Sequence, residues 1–103
     1  MKRPEMLKAG CKSFVISYPK RINDNGDAGE IDYDRATIQL LDVDDAVHKT
    51  YYEELLLHEI AHLVNRMCGL RLEEPDVIAL VSTLLTLMRE NPIVFSWIAG
   101  NTK

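Results

Sequence analysis

The period of the hydrophobic positions changes near the middle of this chain. Up to Leu40 the apolar residues alternate or fall in short runs, and beyond Asp45 they recur every three or four positions. Residues 13–18 (SFVISY) are β-branched and aromatic and end at Pro19, which predicts a strand. Glu30-Ile31-Asp32-Tyr33 and residues 36–40 each alternate apolar and polar, with Asp34-Arg35 between them as a hairpin turn. Residues 23–29 are dense in turn chemistry, with glycines available for positive φ. The first half therefore predicts two or three short antiparallel strands, each with one buried face.

The second half carries helical spacing. Tyr52, Leu56, Ile60, Leu63, Val64 and Met67 mark the core face of a helix over about 45–68. Asp42 or Asp44 is placed to cap it, and Gly69 to stop it. A second helix begins near Pro75, a residue suited to the first helical position, with Val77, Leu80, Val81, Leu84, Leu85 and Met88 on its apolar side. Asn91-Pro92 ends that helix and starts a short third one through Ile93, Val94, Trp97 and Ile98. No repeat, low-complexity tract or long linker divides the 103 residues. The expectation is a single α+β domain spanning residues 1–103, with a small antiparallel sheet packed on a long helix and two further helices after it.

Composition narrows the function classes. Apolar residues make up 47% and charged residues 27%, ordinary for a globular chain. The net charge is −4 and the 12 Lys and Arg are mostly dispersed, which argues against a nucleic-acid module with its basic patch. The N-terminus has no apolar leader core and no stretch reaches membrane-spanning length, so a cytoplasmic protein with no membrane partner is expected. Cys11 and Cys68 lack CxxC spacing and read as free, buried thiols in a reducing compartment. The pattern leaves the oligomeric state open.

One pentapeptide specifies chemistry. His58-Glu59-Ile60-Ala61-His62 lies inside the first predicted helix, so the two histidines stand one turn apart on one face. Both imidazoles can then ligate one metal ion, with Zn²⁺ the default for His and carboxylate donors. Glu59 is too close along the helix to join them comfortably; its expected place is that of general base toward a metal-bound water. Two of the chain's three histidines fall in this register, and apolar flanks set them at the border of a core. The third, His48, is ten residues before His58, off that face, and reads as a surface residue.

The third ligand would set the subclass. A metzincin continues HExxHxxGxxH, but Asn65 and Cys68 occupy the places of its glycine and histidine. With the helix continuing, Cys68 points away from the His58 and His62 face. An acid from the following helix remains: Glu74 first, on a face continued by Val77 and Ile78, then Asp76 and Glu73. The acid has to reach back, because the first helix runs about one and a half turns beyond His62. Acids in a first helical turn also serve capping and the macrodipole, so both roles stay open for this cluster.

Gly29-Glu30-Ile31-Asp32-Tyr33 with Thr37-Ile38, then residues 54–62 (ELLLHEIAH) and Arg89-Glu90-Asn91-Pro92, resemble small phage and prophage proteins of the ImmA/IrrE-type zinc metallopeptidases. The resemblance runs from about Gly29 to Trp97. It implies a minimal gluzincin-like fold whose later helix contributes an acidic ligand. That helix reads roughly E-x-E-A-N-x-F-A in larger members; here the stretch is Glu74-Pro75-Asp76-Val77-Ile78-Ala79-Leu80-Val81, which keeps both acids and replaces Ala-Asn by Val77-Ile78. Larger members cleave repressors, so the likeness implies a regulatory protein as substrate.

Two function classes follow. One is a zinc-dependent peptidase or amide hydrolase acting on a protein or peptide, which an edge strand could align by β-addition; Tyr33, Tyr51 and Tyr52 are candidates for stabilising a developing oxyanion, although half-buried packing explains them as well. The other is a non-catalytic, zinc-stabilised module that binds a partner protein. Glu59 separates them, because a closed structural site has no use for a carboxylate beside an open position.

Overall fold

The computed structural model describes residues 3–23, 26–43 and 49–100. Strands β1 (Met6–Ala9), β2 (Lys12–Ser17), β3 (Gly29–Asp32) and β4 (Thr37–Leu40) precede helices α1 (Lys49–Met67), α2 (Glu74–Glu90) and α3 (Pro92–Ile98). The α+β class agrees with the change of period at mid-chain. The sheet departs from expectation: it has four strands, in the order β1-β2-β4-β3, and it is mixed. β1 pairs antiparallel with β2 through a turn at Gly10, whose φ is +66°. β3 and β4 form the expected hairpin, and β4 returns parallel to β2, Ile16 opposite Ile38. Alternation along a strand specifies its faces and not its neighbours, and β1 is a four-residue strand with no buried position.

The hairpin turn is held by Asp32, whose Oδ1 accepts from the amides of Asp34 and Arg35 at 3.1 and 3.0 Å. One face of the sheet supplies Phe14, Ile16, Ile38 and Leu40, all buried, and Leu63 of α1 closes over them. Leu55 and Leu56 flank this cluster, while Leu57 packs with Ala61, Val77 and Val81 on the side toward α2. The three consecutive leucines thus serve two cores, since about 100° separates neighbours on a helix. α1 lies between the sheet and α2. Each fully buried side chain among Phe14, Ile38, Leu40 and Val77 contributes roughly 1.5–3 kcal/mol of burial.

Several apolar positions are not where periodicity places them. Val64 and Met67 at the end of α1 and Leu80 on α2 are exposed, as are Ile93, Val94, Trp97 and Ile98 on α3. The apolar core between α1 and α2 consists of Leu57, Ala61, Leu72, Val77 and Val81, which leaves these positions outside it, and α3 bends away from α2 by 103°. Cys11 and Cys68 are free as expected but exposed. The amides that Asp42 would cap lie outside the described residues. Its carboxylate accepts from Tyr52 Oη at 3.0 Å and pairs with Lys20 and Arg3 at 2.7 and 3.1 Å, and these donors, Lys20 foremost, hold it down at about 2. The other proposed cap, Asp44, and the predicted start of the helix at 45–48, which includes His48, lie outside the described residues. Among the described residues no single helix is long and apolar enough to cross a membrane.

α1 ends as expected at Gly69, φ +64°, in a Schellman arrangement: Leu70 N donates to Asn65 O at 2.9 Å and Gly69 N to Arg66 O at 3.3 Å. α2 then runs back along α1, and Arg89 near its end pairs with Glu53 near the start of α1 at 3.2 Å. Any L-residue at 69 must adopt the left-handed conformation. Gly69→Ala is expected to lower the unfolding free energy by about 1 kcal/mol, read from the urea midpoint at unchanged slope.

Candidate metal centre

The strip of α1 left between its two cores carries His58 and His62. Their rings meet edge to face with centroids 4.8 Å apart, and the two Nε2 atoms are 3.1 Å apart. Glu74, the first residue of α2, brings its carboxylate to both: Oε1 is 2.7 Å from His58 Nε2, and Oε2 is 3.2 Å from His62 Nε2. These three residues form the one group among those described whose His, Cys, Asp and Glu donors converge closely enough for a shared ion. Donors bound tetrahedrally at ~2.0–2.2 Å from zinc stand on the order of 3.3 Å from one another; the spacings of 3.1 and 3.2 Å are near that edge, and the 2.7 Å between His58 and Glu74 is shorter.

The reach back along α1 has a local cause. Asn65, one turn beyond His62, uses its side-chain amide as a clamp: Oδ1 accepts from Leu72 N at 3.2 Å, and Nδ2 donates to Leu72 O across a longer 3.5 Å. This places Leu72 beside Asn65, and two residues later the chain reaches the histidines. Sequence reasoning weighed Asn65 only as a missing glycine. Its signal was an amide side chain on the motif's face of the helix, three residues after His62.

The other two acids of the cluster are used differently. Glu73 is the N-cap of α2, and its amide donates to Asp76 Oδ2 at 2.9 Å in a capping box. Pro75 follows Glu74 in the first turn and so occupies the second helical position. Glu74 is the acid left free of the cap, and a carboxylate at that end also complements the helix dipole. Cys68 lies on the exposed end of the helix, outside the convergent group.

Glu59 points toward the sheet side of the same strip. It is 5% exposed and, among the described residues, makes no hydrogen bond or ion pair. Gly29 of β3 is its neighbour: a Cβ at that position would stand 2.9 Å from Glu59 Oε2. The carboxyl is pushed up to about 7, first by burial and then by the negative charges of Glu74, Asp27 and Glu30. Glu59 and His58 open on a cleft of about 350 Å³, whose other walls are Asp27, Ala28, Gly29, Tyr51, Glu54 and Leu55. Of the three tyrosines, Tyr51 alone lines this cleft. Tyr52 Oη is tied to Asp42 and Val43, and Tyr33 packs against the sheet core with Arg66 over its ring at 4.2 Å.

No protein family, curated protein or solved structure matches this chain.

Glu59 gives this site a pH signature in metal-free protein. Its pKa is about 7 folded, against 4.5 for the ordinary group. Below about pH 4.5 both states hold the proton and nothing is lost. Between there and pH 7 only the folded state holds it, so stability falls as pH rises, by at most on the order of 3 kcal/mol. Glu59→Gln has no such proton. The EDTA-treated variant is expected to match wild type near pH 4 and to melt higher at pH 8, as followed by circular dichroism.

Proposed function

We propose that this chain is a zinc-dependent peptidase or related amide hydrolase of the ImmA/IrrE type, with a minimal zincin-like fold, in which His58, His62 and Glu74 hold the metal and Glu59 is the general base. The observation that carries the reading is Glu59. Its carboxyl is 5% exposed, makes no hydrogen bond among the described residues and opens on a cleft beside two convergent imidazoles, where a structural staple would give it nothing to do.

The donor set fits zinc: two imidazole nitrogens and one carboxylate, with no sulfur, on rigid helices. Zinc bound there would act as a Lewis acid and bring the ionisation of a bound water near neutrality. The chain's own residues do the rest. Glu59, beside the two imidazoles, is placed to take a proton from that water and return it to the leaving amine. Gly29 leaves its carboxylate room, and a side chain there would displace it. β3 is an edge strand next to Glu59, and its free backbone edge can align an extended peptide. The substrate is then a protein or peptide, and the family likeness suggests a phage or host regulatory protein in the cytoplasm. Nucleic acid and membrane are not invoked as partners.

The second reading, a zinc-stapled interaction module, is favoured by the small core and the exposed apolar face of α3. Turnover separates the two. Purified protein is expected to bind one zinc and cleave a casein-derived peptide mixture. Glu59→Gln should retain the zinc and lose cleavage by roughly a hundredfold or more. Glu74→Ala should lose zinc affinity by roughly a hundredfold, whereas Glu73→Ala and Asp76→Ala keep it. Zinc binding without any turnover in the wild type would favour the staple, and zinc loss in Asp76→Ala but not Glu74→Ala would overturn the ligand set.

Gly29→Ala isolates the base from the metal. Its Cβ would displace the Glu59 carboxylate at little folding cost, because what it meets is the far end of a flexible side chain. Zinc content should stay at the wild-type level while peptide cleavage falls at least about tenfold. Full activity would show that Glu59 does not work from its buried position.

A further inference from the structure

The cleft beside Glu59 has a charge that hydrolysis alone does not require. Its walls carry three carboxyl groups, those of Asp27, Glu54 and Glu59, and among the described residues no lysine or arginine lines it. Asp27 comes from the segment before β3, where Asn23 Nδ2 donates to its Oδ2 at 2.8 Å. Glu54 lies one turn before His58 on α1 and makes no hydrogen bond or ion pair among the described residues. The side chains of Tyr51 and Leu55 add an aromatic and an aliphatic surface to the same walls.

A second observation points to a ligand in this cleft. Glu59 is 5% exposed, lines the cleft and makes no hydrogen bond or ion pair among the described residues, so its carboxyl has room there for a donor or a cation. Zinc would not balance the charge. Its two positive charges would be matched by Glu59 and Glu74, which leaves Asp27 and Glu54 in excess, with Glu30 close enough to act on Glu59.

We infer that the cleft is a subsite for a lysine or arginine side chain of a bound peptide, its charged end held by Asp27 and Glu54. The aliphatic stem of such a side chain lies well against Leu55 and the Tyr51 ring, and a guanidinium over that ring gains a further attraction. A volume of about 350 Å³ takes one long side chain, and the apolar walls suit an organic cation better than a bare metal ion. The inference rests on the peptidase reading for the reaction next to the cleft, but the binding of the side chain does not depend on that reaction.

The zinc-loaded full chain is tested with quenched-fluorescent peptides that differ at one position, as Arg, Lys, Leu or Glu, scanned along the sequence. At one position kcat/KM is expected to favour Arg and Lys over Leu by about tenfold and over Glu by more. In Asp27→Asn/Glu54→Gln the ratio of Arg to Leu should fall to about threefold or less, and Glu54→Lys should turn the preference toward Glu. The same peptides, dye-labelled, are titrated by anisotropy into Glu59→Gln protein with and without the double substitution. Cleavage with no basic preference overturns the subsite and leaves the peptidase reading standing. Charge-selective binding that the double substitution abolishes, without turnover in the wild type, supports the subsite and overturns the peptidase. Neither cleavage nor selective binding overturns both.

Discussion

Helix α1 has to satisfy three different surroundings with one periodic sequence. Leu63, with Leu55 and Leu56 beside it, faces the sheet, while Leu57 and Ala61 face α2. The remaining strip is narrow, and it holds His58 and His62, with Glu59 turned from it toward the sheet. Both cores must be present for the strip to have this shape. The sheet brings Gly29 up to Glu59, and α2 brings Glu74 to the histidines. A carboxylate within 2.7 and 3.2 Å of two imidazoles is thus a tertiary product, although two of its three members are one turn apart.

The electrostatics follow from that arrangement. Five acids lie in or near the cleft, and the most buried of them, Glu59, is raised to about 7 by burial and by Glu74, Asp27 and Glu30. Away from the cleft the balance reverses. Asp42 is surrounded by Lys20, Arg3 and the Tyr52 hydroxyl and is held at about 2. One carboxylate is a structural anchor between the N-terminal segment and α1, and the other is kept near neutrality at a cost in stability. The two carboxyls are thus driven in opposite directions, one held as an anion by cations and the other pushed toward its neutral form by burial and neighbouring acids.

How far the sequence could be read depended on the range of the interactions. The His58, Glu59 and His62 spacing is local to one helix, so it was legible from residue positions alone. The β3–β4 hairpin, the stop at Gly69 and the break at Asn91-Pro92 were legible for the same reason. The parallel pairing of β2 with β4 joins segments far apart in sequence, and alternation carries no information about it. The helix faces were overread at Val64, Met67 and Leu80, because periodicity marks an apolar side without saying how much of it a partner covers. Glu74 stood first among three acids, but what separates it from Glu73 and Asp76 is the capping box and the Asn65 clamp on Leu72, both set by side-chain hydrogen bonds.

The central claim is that His58, His62 and Glu74 hold one metal ion between α1 and α2. Zinc K-edge X-ray absorption on the purified, zinc-loaded protein tests it most directly. The expected result is one tightly held zinc with a shell of nitrogen and oxygen donors at about 2.0–2.2 Å, multiple-scattering features from two imidazoles and no sulfur shell. A sulfur shell at about 2.3 Å, a single imidazole, or a protein that takes up no zinc would contradict it.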